Sequence, residues 1–279
     1  YRFDVDGVPT LDPRNGRVKI GQPPLSNLVE VKGEQPGPHD LRPVPHGVLR
    51  AHRYESKALN GKPRGVVVYT PPSYDPAAET RYPVLYLLHG SGDDEHGWTN
   101  VGLADRILDN LLADGKAAPM IVVMPNGHAV QRRPGEPNNN TKMFEADLLG
   151  DIIPLVEHSY RVKPGSQNRA IAGLSMGGGQ SWAIGMGHLD QFAYVCPFSM
   201  GGGGSGGILD KLDPAEVNGR LNLLWIGCGR QDQLFSRSEK LCADLSAKGV
   251  KNTWHPSDGA HTWIVWRKYL AEVVPLLFR

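Results

Sequence analysis

The sequence is poor in cysteine, in net charge and in long apolar runs. Its three cysteines, Cys196, Cys228 and Cys242, are too few and too scattered for a disulfide framework or a zinc site, and their apolar neighbours predict buried thiols. Lysine and arginine number 30 and aspartate and glutamate 29, so the formal net charge is +1. Without a basic stripe, we expect no nucleic-acid partner. No apolar run approaches the roughly 18 residues of a membrane span, so no membrane partner is expected.

What remains is the composition of a globular chain. It has 279 residues with 40% hydrophobic side chains, enough for one large domain and a small appendage. We expect an N-terminal extension over residues 1–45 and the main domain over residues 46–279. The sequence begins at Tyr1 without a signal sequence, so the compartment cannot be read from its residues directly.

The proposed extension differs in pattern from the rest of the chain. Residues 1–7 alternate apolar and polar side chains and end in Asp-Gly, which predicts one arm of a hairpin. The residues that follow, up to Pro45, are rich in proline, glycine and asparagine and show little periodicity. An irregular stretch of this length is uncommon inside a compact domain. We therefore expect the end of another module followed by a linker.

From His46 onward, apolar runs alternate with segments of helical spacing. The predicted strands are 48–54, 64–70, 82–88, 120–124, 168–172, 192–197, 221–227 and 251–255. The predicted helices are 103–113, 144–160 with a kink at Pro154, a helix from 180, 236–248 and 263–277. Strands that alternate with helices predict an α/β fold with a mostly parallel, doubly wound sheet flanked by helices.

Ser175 lies in a pattern typical of a catalytic serine. The strand predicted at 168–172 runs into Gly173-Leu174-Ser175-Met176-Gly177, and helical spacing resumes from Gln180. Strand, tight turn and helix form a nucleophile elbow, in which Gly173 and Gly177 avoid a steric clash. The helix also directs its first N–H groups at any oxyanion formed there. Ser175 is therefore the candidate nucleophile, with a chance match among 34 glycines as the alternative.

A serine hydroxyl needs a base, and the base needs a carboxylate that orients it. In this architecture the acid and the histidine follow the serine, each after a later strand. Asp232 follows the strand predicted at 221–227, and His261 follows the last predicted strand, on a turn before a helix. Asp258 is the competing acid, but it lies three residues before His261 and would have to reach back across it. We predict Asp232 as the acid and His261 as the base.

An oxyanion hole needs two backbone donors. The N–H of Met176, directly after the nucleophile, is one candidate. Ser91, in the loop after the strand predicted at 82–88, is the other, although an ordinary turn serine is the alternative there. His89 and Gly90 shape this loop, and we expect His89 to form structural hydrogen bonds rather than to act as a second base.

Four motifs in combination resemble carbohydrate esterase family one. They are Leu88-His89-Gly90-Ser91-Gly92-Asp93-Asp94-Glu95 with Trp98, Phe144-Glu145-Ala146-Asp147-Leu148-Leu149, Ala172-Gly173-Leu174-Ser175-Met176-Gly177-Gly178, and Gly259-Ala260-His261-Thr262-Trp263 with Trp266-Arg267. The resemblance extends from about His46 to the C-terminus. It implies an α/β-hydrolase fold and ester hydrolysis through an acyl-serine intermediate, with no cofactor and no metal. It also implies a secreted or periplasmic enzyme.

The same family holds feruloyl esterases and acetylxylan esterases. In addition, residues 1–19 resemble the last strands of immunoglobulin-like carbohydrate-binding modules. Such a remnant ahead of the catalytic domain is similar to feruloyl esterases that act on plant cell walls. The resemblance therefore implies feruloylated arabinoxylan or a xylo-oligosaccharide as the partner, and leaves the oligomeric state open.

Aromatic and sulfur-containing side chains near the predicted site fit a phenolic acyl group. By residue type, Trp98, Met200 and Trp263 are candidate substrate-binding residues, although each fits the hydrophobic core equally well. The polar segment 131–140 is a candidate lid or sugar-contacting loop, with a solvated loop as the alternative. The glycine-rich run 201–207 is a departure from the family pattern, and we expect a loop there.

The leading hypothesis is a serine esterase that removes feruloyl groups from arabinoxylan. An acetylxylan esterase on the same machinery is the second, and an esterase for a catecholate trilactone siderophore is the third. The siderophore is anionic and would favour a basic pocket, for which only Arg132 and Arg133 are available. An inactive hydrolase-like binding protein is the alternative outside the enzymes, and the complete set of Ser175, Asp232 and His261 argues against it.

Overall fold

The computed structural model of the chain describes residues 1–19, 25–31, 33–130, 138–200 and 206–279. Its strands are β1 (Phe3–Val5), β2 (Val8–Thr10), β3 (Val18–Lys19), β4 (Ser26–Asn27), β5 (Val48–Ser56), β6 (Lys62–Thr70), β7 (Val84–Leu88), β8 (Ile121–Pro125), β9 (Arg169–Leu174), β10 (Tyr194–Phe198), β11 (Leu223–Gly229) and β12 (Thr253–Ser257). Its α-helices are α1 (Gly97–Asn100), α2 (Ala104–Ala113), α3 (Asn140–Asp147), α4 (Ile153–Ser159), α5 (Met176–Gly187), α6 (Gly206–Leu209), α7 (Pro214–Arg220), α8 (Phe235–Ala247) and α9 (Trp263–Val273).

Eight of these strands form one sheet in the order β12-β11-β10-β9-β7-β8-β6-β5. The neighbours from β12 to β8 pair in parallel, and β6 and β5 extend the sheet in antiparallel fashion at one edge. The prediction of a mostly parallel sheet flanked by helices is confirmed. Because the carboxyl ends of parallel strands share one edge, the loops after β7, β9, β10, β11 and β12 meet there.

The core has two layers, one on each face of the sheet. Successive side chains of a strand point to opposite faces, so Tyr86 and Leu88 join one apolar cluster while Leu85 and Leu87 join the other. Helices α3, α4, α5 and α8 contribute to the first cluster, and α2 and α9 to the second. Strands β7 to β10 are therefore buried on both faces, which explains their nearly continuous apolar sequences.

The helical region around Pro154 differs from the single kinked helix that was predicted. Helix α3 ends at Asp147, a π-helical turn covers Leu148–Ile152, and Pro154 lies in the first turn of α4. Proline has no N–H to donate and its ring crowds the carbonyl four residues earlier. The wider π turn just before the proline accommodates both the missing hydrogen bond and the crowded carbonyl. The departure from α-helical geometry therefore extends over a full turn.

The predicted hairpin at the N-terminus is present, since β1 and β2 pair in antiparallel fashion. Asp6 and Gly7 both have positive φ, 52° and 83°, as a tight two-residue turn requires. Described residues further along the segment contact the main domain. Glu30 binds Arg267 of α9 at 2.6 Å, and Asn110 of α2 donates to the carbonyls of Pro38 and Asp40.

These contacts explain why the segment shows so little periodicity. It is held by backbone carbonyls and single ion pairs rather than by an apolar face, so no hydrophobic repeat is needed. A free linker would not make such contacts. The division at residue 45 and the origin of the segment in a carbohydrate-binding module stay predictions.

Two predicted loops lie largely outside the described residues. They are residues 131–137 of the polar segment and residues 201–205 of the glycine-rich run. Asn140 begins α3 and Gly206 begins α6. Within the described ranges, no helix has the length and apolar character that crossing a membrane requires, and no cluster of three metal-ligating side chains is found. The three cysteines are free and buried.

Candidate active site

Ser175 lies at the sharp turn between β9 and α5. Its φ of 54° and ψ of −112° fall in a region that residues other than glycine rarely adopt. A Cβ atom on Gly173 would lie 2.5 Å from the carbonyl oxygen of Gly177, and one on Gly177 would lie 2.5 Å from the carbonyl oxygen of His89. Both positions therefore require glycine, and the strained turn leaves the serine only partly buried.

His261 and Asp232 form a hydrogen-bonded pair at the same edge of the sheet. Nδ1 of His261 lies 2.8 Å from Oδ2 of Asp232, and the side chains are 27% and 0% exposed, respectively. The other carboxylate oxygen of Asp232 accepts the N–H of Leu234 at 2.8 Å. With Nδ1–H directed at the carboxylate, Nε2 of His261 is left as the proton acceptor, as a general base requires.

The surroundings of Asp232 favour its charged form. Burial raises the pKa of this carboxyl, but the hydrogen bonds from His261 and from the backbone N–H of Leu234 outweigh burial, so the pKa lies below its usual value. An ionised carboxylate is what holds a histidine in the required tautomer and stabilises its protonated form.

The competing acid is placed differently. Asp258 is exposed, and no hydrogen bond joins its carboxylate to His261 within the described ranges. The histidine therefore pairs with Asp232 rather than with Asp258.

The contact between the candidate nucleophile and the candidate base is a separate matter. No hydrogen bond joins the Ser175 hydroxyl to His261 among the described residues, and such contacts are often long before substrate binds. The assignment of Ser175, Asp232 and His261 as a triad remains a prediction.

The loop after β7 passes beside the candidate nucleophile. A Cβ atom on Gly90 would lie 3.3 Å from Cβ of Ser175 and 2.6 Å from Cδ1 of Leu174. Glycine at this position therefore allows the next peptide group, which carries the N–H of Ser91, to approach the serine. Within the described ranges, neither this N–H nor that of Met176 donates a hydrogen bond. Both stay predicted oxyanion donors.

His89 fixes the direction of that peptide group. Its ring is buried, Nε2 accepts the N–H of Gly127 at 2.8 Å, and Nδ1 therefore carries the proton and donates to the carbonyl of Gly90 at 2.8 Å. The Gly90 carbonyl and the Ser91 N–H belong to one planar peptide and point in opposite directions. Burial lowers the pKa of His89 to about 4, so the ring is neutral near pH 7. This is the structural role predicted for His89.

Two of the three predicted substrate-binding residues lie beneath the surface. Trp98 is 1% exposed and its Nε1 donates to the carbonyl of Leu88 at 3.0 Å, while Met200 is 2% exposed and packs in the core. These two side chains support the loops of the site from below, which corrects the expectation that they line a pocket. Trp263 is partly exposed, with its ring against Trp98 and Trp266.

Sequence reasoning missed the polar residues that hold the loop after β8. Asn140 and Gln180 both donate to the carbonyl of Gly127, at 2.8 and 2.9 Å, and Asn140 also accepts the N–H of Ala129. This loop contacts His89 and therefore supports the oxyanion loop from a second side. The signal available in the sequence was a glutamine at position 180 among the mostly apolar and glycine residues that follow Ser175, and the structure shows that its side chain is fully buried.

The sheet order and the strained serine between β9 and α5 define the protein as an α/β-hydrolase. The model of the Esterase family, described as "Putative esterase", matches residues 56–205. The chain belongs to this family.

Three known proteins show which members of the family this chain is similar to. An endo-1,4-beta-xylanase/feruloyl esterase of Xylanibacter ruminicola is 33% identical over all of this chain, which spans 38% of that protein. A solved ferulic acid esterase is 27% identical with a TM-score of 0.73, over 82% of this chain and 96% of that one. A CE1 ferulic acid esterase of the anaerobic fungus Anaeromyces mucronatus is 25% identical with a TM-score of 0.73, over 86% of this chain and 93% of that one. The resemblance to carbohydrate esterase family one is confirmed.

Proposed function

We propose that this chain is a feruloyl esterase that hydrolyses hydroxycinnamoyl esters on plant cell-wall arabinoxylan. The observation that carries the proposal is the hydrogen-bonded pair of His261 and Asp232, at the same sheet edge as the strained Ser175. The names of the relatives, which include feruloyl and ferulic acid esterases, support the acyl group. The xylanase part of one name supports a xylan substrate and, with it, a secreted or periplasmic location.

The proposed reaction has two halves. The Ser175 hydroxyl attacks the ester carbonyl carbon, and Nε2 of His261 takes the hydroxyl proton while Asp232 stays ionised. The N–H groups of Met176 and Ser91 stabilise the negative oxygen of the tetrahedral intermediate. His261 then gives the proton to the departing sugar oxygen, which leaves a feruloyl-serine ester. A water molecule, deprotonated by His261, attacks this ester, and His261 then gives that proton to Oγ of Ser175 as the acyl–oxygen bond breaks and the ferulic acid leaves.

An esterase for acetyl groups on xylan is the second candidate. The burial of Trp98 and Met200 favours it, because it leaves Trp263 as the only partly exposed member of the predicted aromatic wall. Residue types alone had suggested a larger apolar surface for the phenolic ring.

The two candidates differ in acyl preference. A hydroxycinnamoyl ring that buries about 100 Å² more apolar surface than acetyl gains roughly 2–3 kcal/mol. If this gain is expressed in the transition state, kcat/KM favours methyl ferulate over methyl acetate by roughly 30- to 100-fold. A ratio near one, measured side by side, would support the acetyl esterase instead.

A pair of tryptophan variants tests whether Trp263 contacts the acyl group. Trp263→Leu should reduce the ferulate-to-acetate ratio about tenfold, because it removes much of the aromatic contact. Trp254→Leu is the matched control, since Trp254 is also partly buried but packs against Phe235 of α8. The control should leave the ratio unchanged, and an equal effect of both variants would mean that Trp263 does not contact the acyl group.

A further inference from the structure

Asp93 is a buried carboxylate in the loop that carries the candidate oxyanion donor Ser91. Its side chain is 5% exposed. The first residue of α1 packs on it, since a Cβ atom on Gly97 would lie 3.1 Å from the Cβ of Asp93. Burial raises the pKa of this carboxyl. A carboxylate in such a place is unfavourable unless a cation pairs with it. The proposed mechanism gives Asp93 no role.

The cation that pairs with Asp93 comes from the N-terminal segment. Nζ of Lys19 lies 3.0 Å from Oδ1 of Asp93. Lys19 ends β3, and strand pairing places it opposite Ser26 of β4, so its backbone is held in place. The Lys19 side chain is 38% exposed, so its charge stays in contact with water while it neutralises the buried carboxylate. The segment therefore reaches the loop after β7 as well as α9.

A tight turn connects Asp93 to the candidate oxyanion hole. The N–H of Asp93 donates to the carbonyl of Gly90 at 3.2 Å, which closes a four-residue turn. Gly92 has a φ of 84°, as the third residue of a type II turn requires. The Gly90 carbonyl also accepts the Nδ1–H of His89. Because this carbonyl and the Ser91 N–H belong to one planar peptide, both hydrogen bonds set the direction of that N–H.

The charge of Asp93 also bears on the chemistry. Negative charge develops on the ester oxygen in the transition state, and the donors of an oxyanion hole stabilise it. An uncompensated carboxylate at the end of the same turn would oppose this stabilisation, because like charges repel more strongly at the lower dielectric of a partly buried site. Lys19 offsets the charge of Asp93 and holds its side chain in place.

We propose that Lys19 is a positioning residue for the oxyanion hole, and that the N-terminal segment is part of the active-site architecture. Lys19 neutralises Asp93 and so keeps the turn, together with the Ser91 N–H that the turn directs, in the geometry that binds the oxyanion. It acts on the reaction through Asp93 and the turn. The inference rests on the proposed function in taking Ser91 as an oxyanion donor in ester hydrolysis.

The first test compares Lys19→Met with Lys19→Arg. Methionine keeps an unbranched apolar stem but lacks the charge, whereas arginine keeps the charge. The experiment measures kcat and KM for p-nitrophenyl acetate at about pH 8, where a carboxyl such as Asp93 is ionised. We expect kcat of Lys19→Met to fall about tenfold with KM within about twofold, because the oxyanion forms in the transition state.

Lys19→Arg should retain at least about half of the wild-type kcat, since it preserves the ion pair with Asp93. Both replacements are at a partly exposed position, so both variants should fold. Equal kcat values in Lys19→Met and Lys19→Arg would overturn the proposal.

A double-mutant cycle tests whether Lys19 acts through Asp93. Asp93→Asn removes the charge that Lys19 neutralises, so Lys19→Met should change kcat by less than about twofold in that background. A lysine that merely packed against the loop through its stem would cause the same loss in both backgrounds, and that result would overturn the proposal. If Asp93→Asn does not fold, the comparison of Lys19→Met with Lys19→Arg decides alone.

Arg42→Met is the matched control. Arg42 also belongs to the N-terminal segment, its side chain is also 38% exposed, and it pairs with a main-domain carboxylate, Asp114, at 2.8 Å. Asp114 lies between the end of α2 and the start of β8, toward the edge of the sheet opposite Ser175. Its kcat should stay within about twofold of wild type. An equal loss in Arg42→Met would mean that any loosening of the segment lowers activity, which would overturn the proposal.

The acetyl substrate keeps this inference separate from the acyl preference. A wild-type protein that hydrolyses p-nitrophenyl acetate but not methyl ferulate would overturn the feruloyl esterase proposal alone, because the variants can still be compared on the acetyl ester. Unchanged kcat in Lys19→Met, in a protein that does hydrolyse methyl ferulate, would overturn the role of Lys19 alone.

Discussion

Asp232 and His261 are hydrogen-bonded at 2.8 Å because their strands end in register. Strands β11 and β12 pair in parallel, with Gly229 opposite Ser257 as the last pair. Asp232 follows three residues after one strand end and His261 four residues after the other. Two short loops from adjacent strand ends therefore meet without a long connection. The backbone supports this approach, since the N–H of Asp232 donates to the carbonyl of Gly229 at 2.9 Å.

This geometry makes a prediction about the acid. Asp232→Asn keeps the size of the side chain but removes the charge that holds the His261 tautomer, so kcat should fall roughly 10²- to 10⁴-fold, by analogy with the protease triad. Asp258→Asn is the matched control, and because Asp258 is exposed and does not bond to His261, its kcat should stay within about threefold. A larger loss in Asp258→Asn would show that Asp258, and not Asp232, is the acid.

A second prediction concerns the nucleophile. Ser175→Ala should reduce kcat about 10⁴-fold or more, since the covalent route is lost and only binding and the oxyanion donors remain. The fold should be retained, because a turn residue loses only a hydroxyl. A fluorophosphonate probe followed by mass spectrometry should find the adduct on this serine. Ser236→Ala, an exposed serine of α8, is the control with normal activity and labelling. An adduct on another serine would contradict the assignment.

The parts of the site that could be predicted from the sequence are local ones. Gly173 and Gly177 are required by contacts within one turn, so their spacing around Ser175 is visible in the chain. Buried strands such as β7 can also be recognised in the sequence, because they are runs of apolar residues. The positions of Trp98 and Met200 could not be predicted in this way. Exposure of a tryptophan or methionine depends on which elements pack over it, and the residue type is the same in a pocket wall and in a core.

The N-terminal segment shows another limit of sequence reasoning. Its attachment depends on polar contacts between distant residues, above all Glu30 with Arg267, and such contacts leave no periodic pattern. Arg267 is buried, and its guanidinium also donates to the carbonyl of Val101 at 2.6 and 2.8 Å. A buried arginine needs a paired carboxylate, so the segment supplies a charge that the main domain lacks at this point.

This ion pair gives a third prediction. Burial raises the pKa of Glu30, but the hydrogen bond and charge of Arg267 and the charge of His39 outweigh it, so the pKa lies below its usual value. Glu30 therefore stabilises the fold above its unfolded pKa of about 4.3, and this contribution is lost as the pH falls through the lower folded pKa. Glu30→Gln should lower the free energy of unfolding at pH 7 by about 1–2 kcal/mol.

Urea denaturation at pH 7 and at pH 3 measures the difference between wild type and Glu30→Gln, which should shrink at the lower pH. Asp244→Asn is the control, because it breaks an exposed pair with Lys240 and should cost less than about 0.5 kcal/mol. Equal stability of Glu30→Gln and wild type at pH 7 would mean that the segment is not held by this contact.

The last prediction concerns His89 and the pH dependence of stability. Burial lowers the pKa of this ring from its ordinary value of 6.5 to about 4. The folded protein therefore binds a proton at His89 less tightly than the unfolded chain does. Stability is fully present above pH 6.5 and is lost as the pH falls toward 4, by about 3 kcal/mol at pH 4.

His89→Gln should remove this loss, because glutamine does not titrate and its amide can still accept the N–H of Gly127 and donate to the carbonyl of Gly90. Urea denaturation from pH 4 to pH 8 should show a stability gap between wild type and variant that changes by about 3 kcal/mol across the range. His52 and His128 also have lowered pKa values, but both remain in the variant, so their contributions largely cancel in the difference. Curves that stay parallel over the whole range would show that the buried ring of His89 does not set the acid stability of the loop beside Ser175.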